Sequence, residues 1–404
     1  MIVPPLASEL FDFEDQLWIM HCAKGPAPRA SVDAVTALLG KELHPWKLDM
    51  AAEWAGIPDG LRIEAAKVIG GVAADITVTT STSAALVAVA QGFPFRDGDE
   101  VLAPLGEFPS NVWPWKALEG RGVRFREVPL WEGHRSGTES LDSLPPCGNE
   151  DFEARILEAI GPRTRLVSVS WVRFQDGLKL DLDRLGRACR ERGVAFVVDG
   201  IQGVGTHVPS LEWVDAFACG GQKGFLGPQG HGILWTSPAL RDRLIPQGSW
   251  LSVEEGTALA QSVTDFRRNW LTDGRRLECG SLSLVGSLGL REGLRVLNTV
   301  GIPAISVHVD GLQRELLHRL SRIPSWSAES ARLDALRQSG RLGPLLCLHH
   351  QGKGAEVLRD YLQGAHHRAI CATAREGYLR IALHGWHTVA DLDRLEAWLS
   401  ETDS

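Results

Sequence analysis

Two residues of this chain, a lysine and an aspartate, are arranged in a way that could support covalent chemistry. Lys223 lies in the glycine-rich run 218–230, and Asp199 ends the apolar stretch 195–198. A lysine amine can form a Schiff base with an aldehyde, and a carboxylate can hold a protonated ring nitrogen that accepts electrons. A strand-terminal aspartate followed by a lysine in a glycine-rich turn therefore predicts an enzyme that uses pyridoxal 5'-phosphate (PLP).

Short motifs along the chain occur in an order that resembles one known family. They are Thr79–Ala84, Glu107–Asn111 with Pro114–Trp115, Asp199–Gln202 and the lysine run. The chain is similar to the class V aminotransferases, fold type I PLP enzymes, in the branch with isopenicillin-N-epimerase-like and cysteine-desulfurase-like proteins. The resemblance is strongest over 76–235 and returns at 276–283 and 378–388. It implies the cofactor and the fold more firmly than the reaction.

Five residues are candidates for holding the cofactor. Thr82 and Ser83 lie where a helix begins, so they could bind the phosphate, although such residues are also ordinary helix caps. Phe108 takes the place where many relatives stack a histidine on the pyridine ring; it can stack but cannot transfer protons. The resemblance implies that Asp199 pairs with the ring nitrogen, with a turn cap as its rival, and that Gln202 donates to the phenolic oxygen.

The lysine run departs from the family pattern at two positions. Relatives often have a serine three positions before the lysine and a histidine directly before it, where this chain has Gly220 and Gln222. One phosphate hydroxyl is therefore missing, and Gln222 would bond through its amide. Ser281 matches a position whose hydroxyl reaches the phosphate of the neighbouring subunit in relatives. If this carries over, the protein is a homodimer with a shared active site.

Arg380 is the main candidate for recognising an amino acid substrate. The resemblance implies that it binds the substrate carboxylate through two parallel hydrogen bonds, and a structural salt bridge is the rival interpretation. In the same segment, Trp386 stands where the family has a tyrosine. Lys24 lies in a segment that resembles the lining of the substrate pocket and is a candidate side-chain anchor. Gln175 could orient the substrate, or it could equally be a solvated loop residue.

The elements around these residues alternate between strands and helices, which predicts an α/β fold with a mostly parallel sheet. The resemblance implies a fold type I PLP-dependent transferase with a smaller C-terminal α+β domain. We expect an N-terminal segment over 1–30 that joins the small domain, a large PLP-binding domain over 31–268 and the small domain over 269–404. Glycines and prolines between 132 and 148 also predict a long exposed loop.

Composition excludes several classes of protein. The net charge of −8 argues against a nucleic-acid binder. No apolar run approaches the roughly 20 residues that span a bilayer, so no membrane association is expected. The start of the chain lacks the basic segment of a signal peptide, which makes the cytoplasm the expected location. The seven cysteines form no CxxC pair. Reduced thiols are therefore favoured over disulfides, and no metal site is expected.

The predicted constellation supports more than one reaction. Our leading expectation is an aminotransferase or an epimerase-like enzyme, and the alternative is a carbon–sulfur lyase or another β-eliminating lyase. A cysteine desulfurase is less favoured, because Phe108 replaces the histidine and because Cys371 is expected to be a buried strand cysteine. A dimeric scaffold without catalysis is the non-enzymatic alternative. A nucleotide-binding protein is disfavoured, since the glycine runs lack the spacing of a P-loop or a dinucleotide fingerprint.

Overall fold

The computed structural model of the chain describes residues 3–135, 150–254, 262, 264–350 and 355–400. Most of the loop predicted over 132–148 therefore lies outside the described residues. The strands are β1 Leu17–Trp18, β2 Ile76–Thr79, β3 Glu100–Pro104, β4 Arg124–Val128, β5 Thr164–Ser170, β6 Ala195–Asp199, β7 Ala216–Gly220, β8 Gly232–Thr236, β9 Leu345–His349, β10 Ile370–Cys371, β11 Thr373–Arg375 and β12 Tyr378–Ala382.

Helices separate most of these strands. They are α1 Arg29–Glu42, α2 Gly56–Ile69, α3 Thr82–Gly92, α4 Trp113–Lys116, α5 Phe152–Ala159, α6 Leu182–Glu191, α7 Pro238–Arg243, α8 Leu284–Val300, α9 Ile302–Leu320, α10 Ser327–Gln338, α11 Ala355–His367 and α12 Val389–Ser400. None of the described helices is long and apolar enough to cross a membrane.

A seven-stranded sheet forms the centre of the fold, in the order β2-β8-β7-β6-β5-β3-β4. The pairs from β4 to β7 are parallel, whereas β8 runs antiparallel to both β7 and β2. All five residues of β6 are buried, which explains why its sequence is a continuous apolar run instead of an alternating one. Because parallel strands share one carboxyl edge, β6 and β7 bring Asp199 and the lysine loop together.

A second, smaller sheet positions the arginine expected to bind the substrate. Its order is β11-β12-β9, all antiparallel, and Arg380 lies on the central strand β12. The N-terminal segment reaches this part of the chain, since β1 pairs with β10. Helix α8 packs against α1 and α2. The domain boundaries at 30 and 268 remain predictions.

Local sequence explains where the elements differ from those predicted. No continuous helix forms between β3 and β4, where a 3₁₀ turn at Pro109–Asn111, the short α4 and a second turn at Glu119–Arg121 follow one another. Pro114 lacks an N–H group and is tolerated only in the first turn of a helix, which fits its place in α4. Strands β7 and β8 were not predicted, because they flank a glycine-rich loop that obscures their apolar runs.

Candidate active site

One cavity of about 270 Å³ lies where the carboxyl ends of β6 and β7 meet β12 and the N-terminal segment. Eight of the predicted site residues line it, and they are Thr82, Ser83, Phe108, Asp199, Gln202, Gln222, Lys223 and Arg380. The other lining residues are Cys22, Ala23, Ser81, Ser110, Phe174, Ile201 and Arg375. The fold therefore brings most of the predicted site residues into one cavity.

Asp199 is a buried carboxylate with a single hydrogen bond among those that the structure shows. Its Oδ1 accepts from the backbone N–H of Ile201 at 3.0 Å. Burial raises the pKa of Asp199 from 3.8 to about 7, and the positive charge of Lys223 opposes this rise only partly. Such a group is stabilised by a cationic partner, so its environment fits the protonated ring nitrogen of PLP.

Lys223 is the amine of the cavity. It follows β7 in the loop that returns to β8, and burial lowers its pKa, although the nearby carboxylate of Asp199 acts in the opposite direction. Its Nζ lies 5.7 Å from the centroid of the Phe108 ring. A lowered pKa increases the fraction of neutral amine near neutral pH, and only the neutral amine can attack an aldehyde or accept a proton.

The start of α3 provides hydroxyl groups at the other side of the cavity. Ser81 caps the helix, because its side chain accepts from the N–H of Ala84 at 3.1 Å. Thr82 and Ser83 therefore do not serve as the cap, which removes the rival interpretation of these two residues. The Oγ1 of Thr82 accepts from the N–H of Gly220 at 2.7 Å, so its own proton can still be donated. Helix N-termini with hydroxyl groups suit a phosphate.

The departures at 220 and 222 are physically linked. A Cβ added to Gly220 would lie 2.5 Å from the Oε1 of Gln222 and 3.2 Å from the Oγ1 of Thr82. The serine that relatives often carry at this position therefore does not fit beside Gln222 in its present conformation. The amide of Gln222 occupies the space next to the helix start and is available as the replacement donor.

We expect Gly220→Ser to weaken PLP binding roughly 5- to 150-fold, which corresponds to the 1–3 kcal/mol typical of overpacking. The added side chain would displace Gln222 from the cavity. Titration of the cofactor-free protein with PLP, followed by absorbance, measures the dissociation constant. Gly161→Ser is a matched control, since no atom lies within 4 Å of a Cβ at that position. Unchanged affinity in Gly220→Ser would contradict the steric argument, and Gly220→Ser with Gln222→Ala should recover part of the loss.

The N-terminal segment closes one wall of the cavity through backbone contacts. Gln202 donates from Nε2 to the carbonyl of Cys22 at 3.2 Å, which leaves its second amide N–H available for a ligand. The N–H of Gly25 donates to the carbonyl of Gln222 at 2.7 Å. A Cβ at Gly25 would lie 2.1 Å from the carbonyl oxygen of Lys223. This close approach explains the glycine and holds the segment against the lysine loop.

Arg380 is buried, yet none of the described acidic residues forms an ion pair with it. Its Nε also has no hydrogen-bond partner among the described residues. The rival interpretation, a structural salt bridge, is therefore not what the described part of the chain shows. A buried guanidinium without a carboxylate is costly, and an anionic ligand in the cavity would satisfy it.

Four predicted site residues do not line the cavity described above. Lys24 donates from Nζ to the carbonyl of Gly227 at 2.9 Å. Trp386 is buried, and its ring stacks on His384 with centroids 4.3 Å apart. Gln175 is buried in a hydrogen-bond network, so it is not a solvated loop residue. Ser281 is exposed in the single chain. Their proposed contacts with the substrate or with a second subunit thus stay predictions.

The cysteines differ from expectation in one respect. Cys371, predicted to be buried, is half-buried on β10, and its Sγ lies 3.6 Å from the Oε1 of Gln16. It does not line the cavity. Cys22 does line it, but this thiol packs in an apolar cluster with residues such as Cys347 and Tyr378, and burial raises its pKa. A raised pKa makes a thiol a poor nucleophile.

The remaining lining residues that were not predicted as site residues are Ala23, Ser110, Phe174, Ile201 and Arg375. Ser110 faces Ser83, with their hydroxyl oxygens 2.7 Å apart. Phe174 packs edge-on against Phe108, with centroids 5.2 Å apart and planes at 81°. Ser110 belongs to the same motif as Phe108, and its membership of that motif was the sequence signal that could have identified it. Nothing local marks Phe174 or Arg375, which reach the cavity only through the tertiary fold.

A comparison with family models decides the classification. The model for class-V aminotransferases matches residues 42–395. The chain belongs to the aminotransferase class-V family. This confirms the family resemblance drawn from the motifs, and with it PLP as the cofactor. The donor set agrees with this assignment, because the cavity combines a buried acid, a half-buried amine and the hydroxyl-bearing start of α3.

Relatives within the class-V family carry names for carbon–sulfur chemistry. A probable cysteine desulfurase of Methanothermobacter thermautotrophicus is 32% identical over 265 residues, which span 65% of this chain and 61% of that protein. A cysteine desulfurase of Salmonella choleraesuis is 26% identical over 402 residues, covering 95% of this chain and 92% of that protein. These names favour the carbon–sulfur lyase alternative over the leading expectation of an aminotransferase or epimerase.

Solved structures confirm the predicted fold. A lysine-to-alanine mutant of C-DES, with glycine covalently linked to its PLP cofactor, matches with a TM-score of 0.82 at 20% identity, covering 98% of this chain and 99% of that chain. The complex of the cystine C–S lyase C-DES with its product cysteine persulfide matches with a TM-score of 0.81 at 20% identity, over 96% and 98%. At this identity the likeness establishes the fold alone.

Proposed function

We propose that this class-V enzyme is a PLP-dependent lyase that breaks the carbon–sulfur bond of a cysteine-derived amino acid by β-elimination. The observation that carries the proposal is the presence in one cavity of Lys223, a half-buried amine whose pKa is lowered by desolvation, and Arg380, a buried guanidinium without an ion-pair partner among the described residues. The names of the curated relatives support the choice of sulfur chemistry.

Each residue has a defined task in this proposal. Arg380 binds the α-carboxylate of the substrate and so fixes the α-carbon near Lys223. Asp199, Gln202 and the start of α3 hold the cofactor, which when bound acts as the electron sink for the reaction. Lys223 accepts the α-proton on Nζ, for which its lowered pKa is favourable. Phe108 and Phe174 exclude water from one side of the site.

The residues that line the cavity also determine whether the leaving sulfur can be protonated. Phe108 has no proton to give, and among the described lining residues no histidine is present. The sulfur must then leave as an anion, unless water or Lys223 protonates it, which favours a substrate whose sulfur anion is weakly basic. The site therefore suits a disulfide or another activated sulfur better than a simple thioether.

A cysteine desulfurase is the second candidate, favoured by the names of the relatives. That reaction transfers sulfur to a protein thiol. Within the described residues, Cys22 is the one thiol that lines the cavity, and burial raises its pKa. Cys371 lies outside the cavity on β10. Direct elimination therefore agrees better with the geometry than transfer to a protein thiol.

Product analysis distinguishes these reactions. With cystine as substrate, we expect pyruvate, ammonia and persulfide sulfur in equal amounts over many turnovers, and we expect Cys371→Ser to keep the wild-type rate. Keto acid formed without ammonia would indicate transamination and contradict the proposal, as would loss of the α-stereocentre without cleavage. A large loss of sulfur release in Cys371→Ser would instead establish the desulfurase reaction.

We also propose that the enzyme is a homodimer that completes its active site with a second copy. Large apolar side chains remain exposed on the single chain, among them Trp46, Trp250 and Phe266 at 78%, 52% and 88% exposure. Exposed aromatic residues of this size are typical of protein interfaces. Ser281 is exposed as well, which leaves its hydroxyl free to reach a neighbouring subunit.

A further inference from the structure

Arg375 is a lining residue to which no role has yet been assigned. It ends β11, next to the tight turn that leads into β12, and its side chain is exposed at the cavity mouth. Its guanidinium carbon lies 5.2 Å from the centroid of Phe108 and 5.3 Å from that of Phe174. None of the described carboxylates pairs with it. A cation held over two aromatic faces without an acid can accept an anionic ligand.

The turn beside Arg375 is held in place by a hydrogen bond to the segment that follows β5 of the large sheet. Glu376 and Gly377 have positive φ values of 49° and 83°, as a two-residue hairpin turn requires. The carboxylate of Glu376 accepts a hydrogen bond from the Nε2 of Gln175. Gln175 in turn accepts from the Nη2 of Arg173 at 2.9 Å, and Arg173 pairs with Asp176 at 2.9 Å. This network holds the hairpin, and with it Arg375, at the cavity.

The two arginines of the cavity are not equivalent. Arg380 is buried on the central strand, whereas Arg375 lies at the mouth. The Phe108 ring lies close to both Arg375 and the Nζ of Lys223, which is 5.7 Å from its centroid. A substrate with its α-carboxylate on Arg380 and its α-carbon at Lys223 thus has a second cation available near the same ring.

We propose that Arg375 is a specificity-determining residue that binds a second anionic group of the substrate, beyond the sulfur. This inference rests on the proposed lyase function and names its substrate class, cysteine derivatives whose leaving fragment carries a carboxylate. Cystine belongs to this class. Its carbon–sulfur bond breaks, the sulfur leaves with the electron pair as the anion of cysteine persulfide, and with one water the other fragment becomes pyruvate and ammonia.

The test compares cystine with the mixed disulfide of cysteine and cysteamine, which lacks only the distal carboxylate. For the wild-type enzyme we expect kcat/KM to be roughly 10- to 100-fold higher for cystine, the range for a hydrogen bond between charged groups. Arg375→Gln should lose most of this preference and keep its rate on the mixed disulfide, whereas Arg375→Lys should retain part of it. Arg359→Gln, an exposed change on α11, should behave as wild type.

Two further measurements separate this inference from the proposed function. β-Chloroalanine has no distal anion, so Arg375→Gln should eliminate chloride from it at the wild-type rate; no elimination by the wild-type enzyme would refute the lyase function. Calorimetry with octanedioate and octanoate tests Arg375 without any turnover. We expect the wild-type enzyme to bind the dicarboxylate more tightly and Arg375→Gln to lose that difference. An unchanged preference in both assays would overturn the role of Arg375.

Discussion

Lys223→Ala is expected to lower kcat by at least about 10⁴-fold, the largest effect of any single substitution in this enzyme. A general base alone contributes roughly 10²–10⁴-fold, and this lysine is also the covalent attachment point that the family resemblance assigns. Turnover of β-chloroalanine measures the loss. The variant should also lack the visible absorbance that a lysine-linked PLP gives, and borohydride reduction should label no peptide that spans position 223.

The control for this variant is a second half-buried lysine. Burial also lowers the pKa of Lys179, but this lysine lines a different cavity, which Leu180 and Arg341 line as well. Lys179→Ala should therefore retain activity and the label at Lys223. A borohydride label on Lys179, or full activity in Lys223→Ala, would show that the reactive amine had been misassigned. A wild-type protein that stays colourless with added PLP would favour the scaffold alternative.

Most of the predicted residues that would hold the cofactor share one property: they lie at the carboxyl ends of strands of the large sheet or at the helix that follows. Asp199 ends β6, Thr82 starts α3 directly after β2, and Lys223 follows β7. Because these strands run in the same direction, such positions lie at one edge of the sheet regardless of the conformation of the loops. Residue type then limits the chemistry, because few reactions need a buried acid beside an amine whose pKa is lowered by desolvation.

Residues on the smaller sheet were harder to predict. Arg380 was found because its segment resembles the family stretch that binds the substrate carboxylate, but Arg375 lies in a hairpin whose direction depends on contacts with Gln175, distant in sequence. Gln175 and Trp386 were expected at the substrate; the structure shows Gln175 bonded to Arg173 and Trp386 stacked on His384, and their contact with a substrate stays a prediction. Spacing along the chain cannot distinguish a residue that touches a ligand from one that holds its neighbour.

The reaction type was the least predictable feature. Transamination, epimerisation and elimination all begin with removal of the same α-proton, so Lys223 and Asp199 alone do not separate them. The discriminating features are Phe108, the position of the thiols and the second arginine, and two of these three depend on the tertiary structure. The leading expectation of an aminotransferase or epimerase was drawn with Phe108 in view but without the two features that depend on the fold, and the relatives favour the lyase alternative.

Asp199→Asn should lower the activity of the enzyme and raise the stability of the cofactor-free protein. The carboxylate is needed by the cofactor, but its burial destabilises the fold when no cofactor is bound. Without the negative charge the ring nitrogen loses the partner that keeps it protonated. Breaking a buried pair of this kind costs about 3–5 kcal/mol, so we expect kcat/KM for β-chloroalanine to fall roughly 10²- to 10⁴-fold. Asp33→Asn, an exposed change on α1, should leave kcat/KM unchanged.

In the cofactor-free protein the same substitution should increase stability, and the gain should depend on pH. The pKa of Asp199 is raised from 3.8 to about 7 by burial, so between these values the folded state binds a proton that the unfolded state does not. Stability then falls as the pH rises through this window. Asparagine removes that penalty. In denaturant unfolding, the free energy of unfolding of Asp199→Asn should therefore exceed that of the wild type at pH 8, and the difference should disappear near pH 4. A stability difference independent of pH would mean that Asp199 is not the uncompensated acid inferred here, and the pyridinium would lose its structural rationale.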